Sequence, residues 1–145
     1  MPKPTTMETL IELATDEVDK AAVRLGHSIR FANDAEQKLA ILNQYRDDYG
    51  VRLQKNCESG LTAMDYRNFQ QFIDKLDQAI SGQQQIVRNA KKQIEEDKSS
   101  WQASERKRVS FDTLATRAQK VVQKKENKLD QKQMDEFASR RSRYR

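Results

Sequence analysis

The 145 residues carry a formal charge of +5, with 34% charged against 36% hydrophobic residues, four glycines and a mean hydropathy of -0.99. That balance is too polar to fill a compact core, and it excludes a membrane span of roughly 20 apolar residues. One cysteine, Cys57, and one histidine, His27, exclude a disulfide framework or a Cys/His metal centre within one chain; both read as solvated side chains.

The opening Met1-Pro2-Lys3-Pro4 leads into an amphipathic pattern with no signal-peptide core, so a cytoplasmic protein is expected. Thr5 or Thr6 is the expected cap of the first helix, with Glu8 three residues after Thr5 as in a capping box. From Met7 the 3.5-residue series reads Met7, Ile11, Ala14, Val18, Ala21, Leu25, Ser28, Ala32, Ala35, Leu39, Leu42, Arg46, Tyr49, Leu53. Only Ser28 and Arg46 are not apolar, which is the heptad pattern of a coiled coil. This predicts helix one over about 5–55, with a periodic stretch of about 49 residues that spans roughly 73 Å at 1.5 Å per residue. Asn56-Cys57-Glu58-Ser59-Gly60 supplies turn chemistry, placing the turn at about 56–61.

Helix two is predicted over about 62–138. Its series runs Tyr66, Phe69, Ile73, Leu76, Ile80, Gln83, Val87, Ala90, Ile94, Asp97, Trp101, Ser104, Arg108, Phe111, Ala115, Ala118, Val122, Lys125, Leu129. A short connection makes the two helices antiparallel neighbours, so the fold class is all-α: a long two-helix antiparallel coiled coil in a single domain, a rod. With Gly60 at the turn, Tyr49 should meet Phe69, Leu42 should meet Leu76, and Met7 should meet Phe111. Helix one is then used up near Phe111 while 34 residues remain. Leu114, Ala115, Ala118, Val121, Val122, Leu129, Met134 and Phe137 are thereby expected to lack a partner in the same chain.

Charge follows the same division. Residues 1–105 hold 14 Lys/Arg against 17 Asp/Glu, and residues 106–145 hold 13 against 5. The overhang is thus a basic amphipathic helix with a basic tail over 139–145, suited to an acidic protein, an anionic surface or nucleic acid. Nucleic acid is the weakest of these, because the segment has no recognition motif and few aromatics for stacking.

Beside the seam near the turn, Leu42, Tyr45 and Tyr49 on helix one fall level with Phe72, Leu76 and Ala79 on helix two. Since a two-helix hairpin buries a single seam, Tyr45 and Phe72 should stay accessible, as at an interface hot spot. No phosphate-binding glycine loop, nucleophile elbow or metal-ligand array is present, so an enzyme is not expected and no cofactor is implied.

Three stretches resemble a known family. Leu129-Asp130-Gln131-Lys132-Gln133-Met134-Asp135-Glu136-Phe137-Ala138 resembles the C-terminal signature of the flagellar FliJ family. Asn68-Phe69-Gln70-Gln71-Phe72-Ile73, and the opening from Leu10 to Asp19, resemble two further blocks. The resemblance implies a component of the flagellar type III export apparatus, shaped like the gamma-subunit stalk of rotary ATP synthases. It implies a monomer at the flagellar base, peripheral to the inner membrane, that enters the hexameric export ATPase ring and promotes its assembly and activity. It also implies contact with the membrane export gate and escort of emptied substrate chaperones, with no small-molecule substrate. The implied gate surface falls on Lys38, Leu42, Tyr45, Tyr49, Phe72, Leu76, Ala79 and Gln83. For the ATPase ring it falls on Leu129, Met134 and Phe137, to which the unpartnered Leu114 and Val121 are added. The resemblance read from these blocks stops at Ala138 and does not reach the basic tail. The competing reading is a scaffold in which two chains zip together and a basic helix binds an acidic partner or nucleic acid.

Overall fold

The computed structural model describes residues 5–144. Met1-Pro2-Lys3-Pro4 and Arg145 therefore lie outside the described residues. Two helices, α1 (Thr6–Ser59) and α2 (Ala63–Arg143), pack against each other as an all-α hairpin.

Local chemistry fixes the ends of both helices. At the start of α1 the capping box is reciprocal: the Glu8 amide donates to Thr5 Oγ1, and the Thr5 amide donates to Glu8 Oε2, each at 3.1 Å. Thr62 caps α2 by accepting from the Asp65 amide at 3.2 Å, and Asp65 places a negative charge in the first turn. Gly60 ends α1 with φ at 93°, a left-handed conformation that a side chain would strain. The turn is therefore only Gly60-Leu61-Thr62. Helix α1 runs past Lys55 to Ser59, and the basic tail expected after Ala138 is helical through Arg143. Arg140, Arg141 and Arg143 favour that extension, because cations stabilise the negative end of the helix dipole.

The contacts divide the chain into two units. One is Lys20–Trp101; the other combines Met1–Asp19 with Gln102–Arg145. In the first unit Ala21, Ala32 and Ala35 of α1 are buried, as are Ile73, Leu76, Ile80, Val87 and Ala90 of α2. Small residues on one helix admit large ones from the other, and burying each Ile or Leu contributes roughly 1.5–3 kcal/mol. In the second unit Ala14 is buried, with Met7, Ile11, Val18, Ser104, Arg108, Phe111 and Ala115 half-buried.

The heptad series marks the seam closely. All fourteen α1 positions, Met7 through Leu53, are buried or half-buried. On α2 the same holds from Phe69 to Ala115, whereas Tyr66 and every position from Ala118 onward are exposed. Of the polar residues in the buried part of the seam, Ser28, Arg46, Gln83, Asp97 and Arg108 have side-chain partners. Ser28 Oγ donates to Asp97, which also accepts from the Gln93 amide at 3.1 Å. Arg46 reaches Asp77 at 3.0 Å, and the Gln83 amide donates to the Ala35 carbonyl at 3.0 Å. Arg108 spans Glu105 and Asp112 on its own helix. Among the described residues no buried side-chain polar atom is left without a partner.

Candidate partner-binding surfaces

Assigning Ile11 as a and Ala14 as d of a heptad, and Tyr66 and Phe69 likewise on α2, places e and g residues on the two flanks of the seam. Cross-helix ion pairs confirm this assignment. Glu36 and Lys91, both e, meet at 3.2 Å in the first unit. Glu17 and Lys107, both g, meet at 3.4 Å in the second. Antiparallel packing thus sets e beside e on one flank and g beside g on the other.

The eight residues of the expected gate surface all lie in the Lys20–Trp101 unit, and all are d or g residues. Lys38, Tyr45, Phe72 and Ala79 are at g and are exposed; Tyr45 is 55% and Phe72 41% accessible. Leu42, Tyr49, Leu76 and Gln83 are at d, inside the seam. Leu76 is buried, and the Gln83 amide is engaged with the Ala35 carbonyl. The spacing of four, three and four is the same on both helices, so each stripe alternates an exposed residue with a seam residue beneath it. Tyr49 ties them together: its ring lies 4.3 Å from that of Phe72 and 6.2 Å from that of Phe69, with the Arg52 guanidinium 5.6 Å from its centre. The exposed four are open to a partner, Leu42, Tyr49 and Gln83 are half-buried, and Leu76 alone of the eight is buried.

The five residues expected to face the ATPase ring lie in the second unit. Leu114, Val121, Leu129, Met134 and Phe137 are all exposed, Met134 and Phe137 to 68% each. Met134 and Phe137, with Asp130 and Gln133, border a shallow hollow formed by α2 alone. The overhang is shorter than expected. Ala115, Ala118 and Val122 border a groove of about 850 Å³ whose opposite wall is Thr5, Met7, Glu8 and Ile11. Met7 therefore sits further along α2 than Phe111. The cause is the turn, which is centred on Leu61 rather than Gly60 and so advances every facing position along α2.

Two titrating groups are perturbed, Glu105 and Arg108. The hydrogen bond from Arg108 holds the Glu105 carboxyl below its ordinary range, with partial desolvation opposing. Arg108 is correspondingly raised by Glu105. Both are a stitch in the helix, not a proton-transfer pair. No group of three or more His, Cys, Asp or Glu able to hold a metal occurs among the described residues, and none of their helices is long and apolar enough to cross a membrane.

A two-helix hairpin with exposed apolar stripes defines a class of protein that works by contact. Comparison with known proteins makes the class specific. The family described as "Flagellar FliJ protein" matches residues 3–145. A flagellar FliJ protein of Escherichia coli (strain K12) is 34% identical over 134 residues, covering 92% of this chain and 91% of its own. A flagellar FliJ protein of Salmonella typhi matches with the same identity and coverage. The chain belongs to the flagellar FliJ protein family, non-catalytic components of flagellar protein export.

Proposed function

We propose that this chain is a coiled-coil cofactor of a flagellar export ATPase, placed in the cytoplasm at the inner membrane. Its α2 overhang engages the ATPase ring as a stalk does, and promotes assembly and activity of the ring. The side bearing Tyr45 and Phe72 contacts the membrane export gate. Emptied substrate chaperones are escorted by the same monomer.

One observation carries this reading. Helix α2 stays helical to Arg143, yet past Ala115 every described residue is exposed, while Val121, Leu129, Met134 and Phe137 remain apolar. Residues 106–145 hold 13 basic against 5 acidic residues. An isolated amphipathic helix leaves its apolar stripe hydrated, so a partner that covers it gains roughly 25 cal/mol per Å² removed from water. The positive charge opposes pairing with a second copy and favours an acidic receptor.

The test is the full chain carrying Leu129→Ala, Met134→Ala and Phe137→Ala together. These side chains support no tertiary packing, so circular dichroism should be unchanged while stimulation of the purified export ATPase is lost. Full stimulation by the triple variant would refute the proposal.

A further inference from the structure

The two flanks of the Lys20–Trp101 unit differ in a way that the gate surface alone does not explain. The e flank is closed by polar contacts across the seam, Glu36 with Lys91 and Arg46 with Asp77. On the g flank of the same unit, no cross-helix ion pair forms among the described residues. Its g positions on α1 are Arg24, Phe31, Lys38, Tyr45, Arg52 and Ser59; on α2 they are Asp65, Phe72, Ala79, Ile86, Gln93 and Ser100. Large side chains there lie open to solvent, with Phe31 59% and Ile86 43% accessible beside Tyr45 and Phe72. Phe31 stands two heptads from Tyr45, and Ile86 two heptads from Phe72, so the apolar stripe continues away from the turn along both helices.

The charged g positions of this flank are mostly basic. Arg24, Lys38 and Arg52 form no ion pair among the described residues, and the one acidic g position of the unit, Asp65, lies in the first turn of α2, outside the stripe from Ile86 to Phe72. The adjoining c positions are balanced, with Lys20, Lys55 and Lys75 against Asp34, Asp48 and Glu96. The result is a groove between two helices with aromatic and aliphatic side chains along it and cations on its rim. This is the arrangement that receives a third helix, whose apolar stripe fills the groove while its flanks meet the rim charges.

We infer that the g flank from Phe31 and Ile86 to Tyr45 and Phe72 docks an amphipathic helix of acidic character, completing a three-helix bundle with this unit. The inference deepens the reading of the Tyr45–Phe72 side as a partner surface and rests on it. It adds Phe31, Ile86, Arg24 and Arg52, and it specifies the partner segment as helical, apolar on one stripe and negative beside it.

The probe is a labelled four-heptad peptide with Leu at a and d and Glu at e and g, compared with the same peptide bearing Lys at e and g. Binding to the full chain is read by fluorescence anisotropy. The Glu peptide should bind at least about tenfold more tightly, with the difference reduced at high salt. Phe31→Ala with Ile86→Ala, both exposed and so tolerated by the fold, should weaken it about tenfold, as should Tyr45→Ala with Phe72→Ala. Arg24→Glu, Lys38→Glu and Arg52→Glu together should reverse the preference towards the Lys peptide, whereas Leu129→Asp with Phe137→Asp should leave binding unchanged. Equal affinity for the two peptides, or loss of binding only in the overhang variant, would overturn the inference. A concentration-dependent dimer in sedimentation, abolished by Phe31→Ala with Ile86→Ala, would also overturn it, by making a second copy the occupant. Should Tyr45→Ala with Phe72→Ala abolish both peptide and export-gate binding while Phe31→Ala with Ile86→Ala alters neither, the extension fails and the gate reading stands. Loss of gate capture in neither variant would fail the gate reading itself.

Discussion

The rings of Tyr49 and Phe72 lie 4.3 Å apart and 33° from parallel, joining a seam residue of α1 to a flank residue of α2. Phe72 is thereby held at the surface by a side chain that is itself anchored. A rigid, half-exposed aromatic loses little entropy on binding, which makes it a stronger contact than a freely rotating one.

Tyr45→Ala with Phe72→Ala should leave helix content unchanged and shift the melting temperature by only a few degrees, since both rings are substantially exposed. Capture of the export gate's cytoplasmic part should be abolished. Leu76→Ala behaves differently. Leu76 is buried in the seam, so its truncation should cost about 2–4 kcal/mol in a urea melt before any effect on binding is read. Gate binding that survives the Tyr45/Phe72 change would remove this surface from consideration.

Truncation after Phe111 should eliminate ATPase stimulation, but it also strips Ala115, Ala118 and Val122 from the groove facing Met7 and Ile11. A chain ending after Glu126 keeps that groove and removes Leu129, Met134 and Phe137. It should fold as the full chain does and still fail to stimulate, as read by phosphate release. Stimulation by the shorter chain at the full rate would place the ring contact elsewhere.

Glycine substitutions should move stability in opposite directions. Gly60→Ala forces a side chain into the left-handed region at φ 93° and should cost about 1 kcal/mol. At Gly82, within α2, an added Cβ meets nothing within 4 Å, so Gly82→Ala should stabilise by roughly 0.5–1 kcal/mol. Two thermal melts decide it, and effects of the same sign would contradict the turn geometry.

Acid should release the Glu105–Arg108 stitch in a defined direction. Glu105 has its folded-state titration lowered by Arg108, so its contribution is present above the ordinary carboxylate range and lost as pH falls through the lower folded value. In Arg108→Met the Glu105 resonance should titrate at higher pH than in the unmodified chain, as followed by NMR. Identical titration in both chains would show that the contact is not maintained in solution.

Ser28 and Asp97 form the one seam contact in which a carboxylate of α2 accepts from a hydroxyl of α1. Ser28→Ala leaves a half-buried carboxylate with fewer donors and should cost about 1–3 kcal/mol. Ser28→Ala with Asp97→Leu should recover that loss or exceed it, at the expense of register, because a polar pair in a seam specifies alignment. Chemical denaturation of the single and double variants is the measurement, and a double variant weaker than Ser28→Ala alone would be the contrary result.

Much of this molecule could be read from spacing alone. The 3.5-residue period selected the seam residues of α1 from Met7 to Leu53, because a side chain's angular position on a helix follows from its number in the chain. Tyr45 and Phe72 were legible as exposed for the same reason, and Thr5 with Glu8 as a cap. Phe31 and Ile86 escaped notice because they are remarkable only together. Each is one apolar residue on a polar helix until the partner helix brings the other to the same flank. Leu76 and Gln83 were legible as members of a surface stripe, but their d positions turn one into the core and commit the amide of the other to a carbonyl.

What sequence by itself determined was therefore angular: which face of each helix is apolar, where the helices begin, and that the basic charge gathers after residue 105. What the tertiary structure decided was axial and lateral. A turn of three residues centred on Leu61 set how far α1 reaches along α2, and so where the overhang begins. Antiparallel pairing then placed e against e and g against g, closing one flank of the hairpin unit with ion pairs and leaving the other open. Heptad spacing contains neither fact, since the period repeats at every turn and tolerates sliding until the loop and the polar seam contacts pin one alignment.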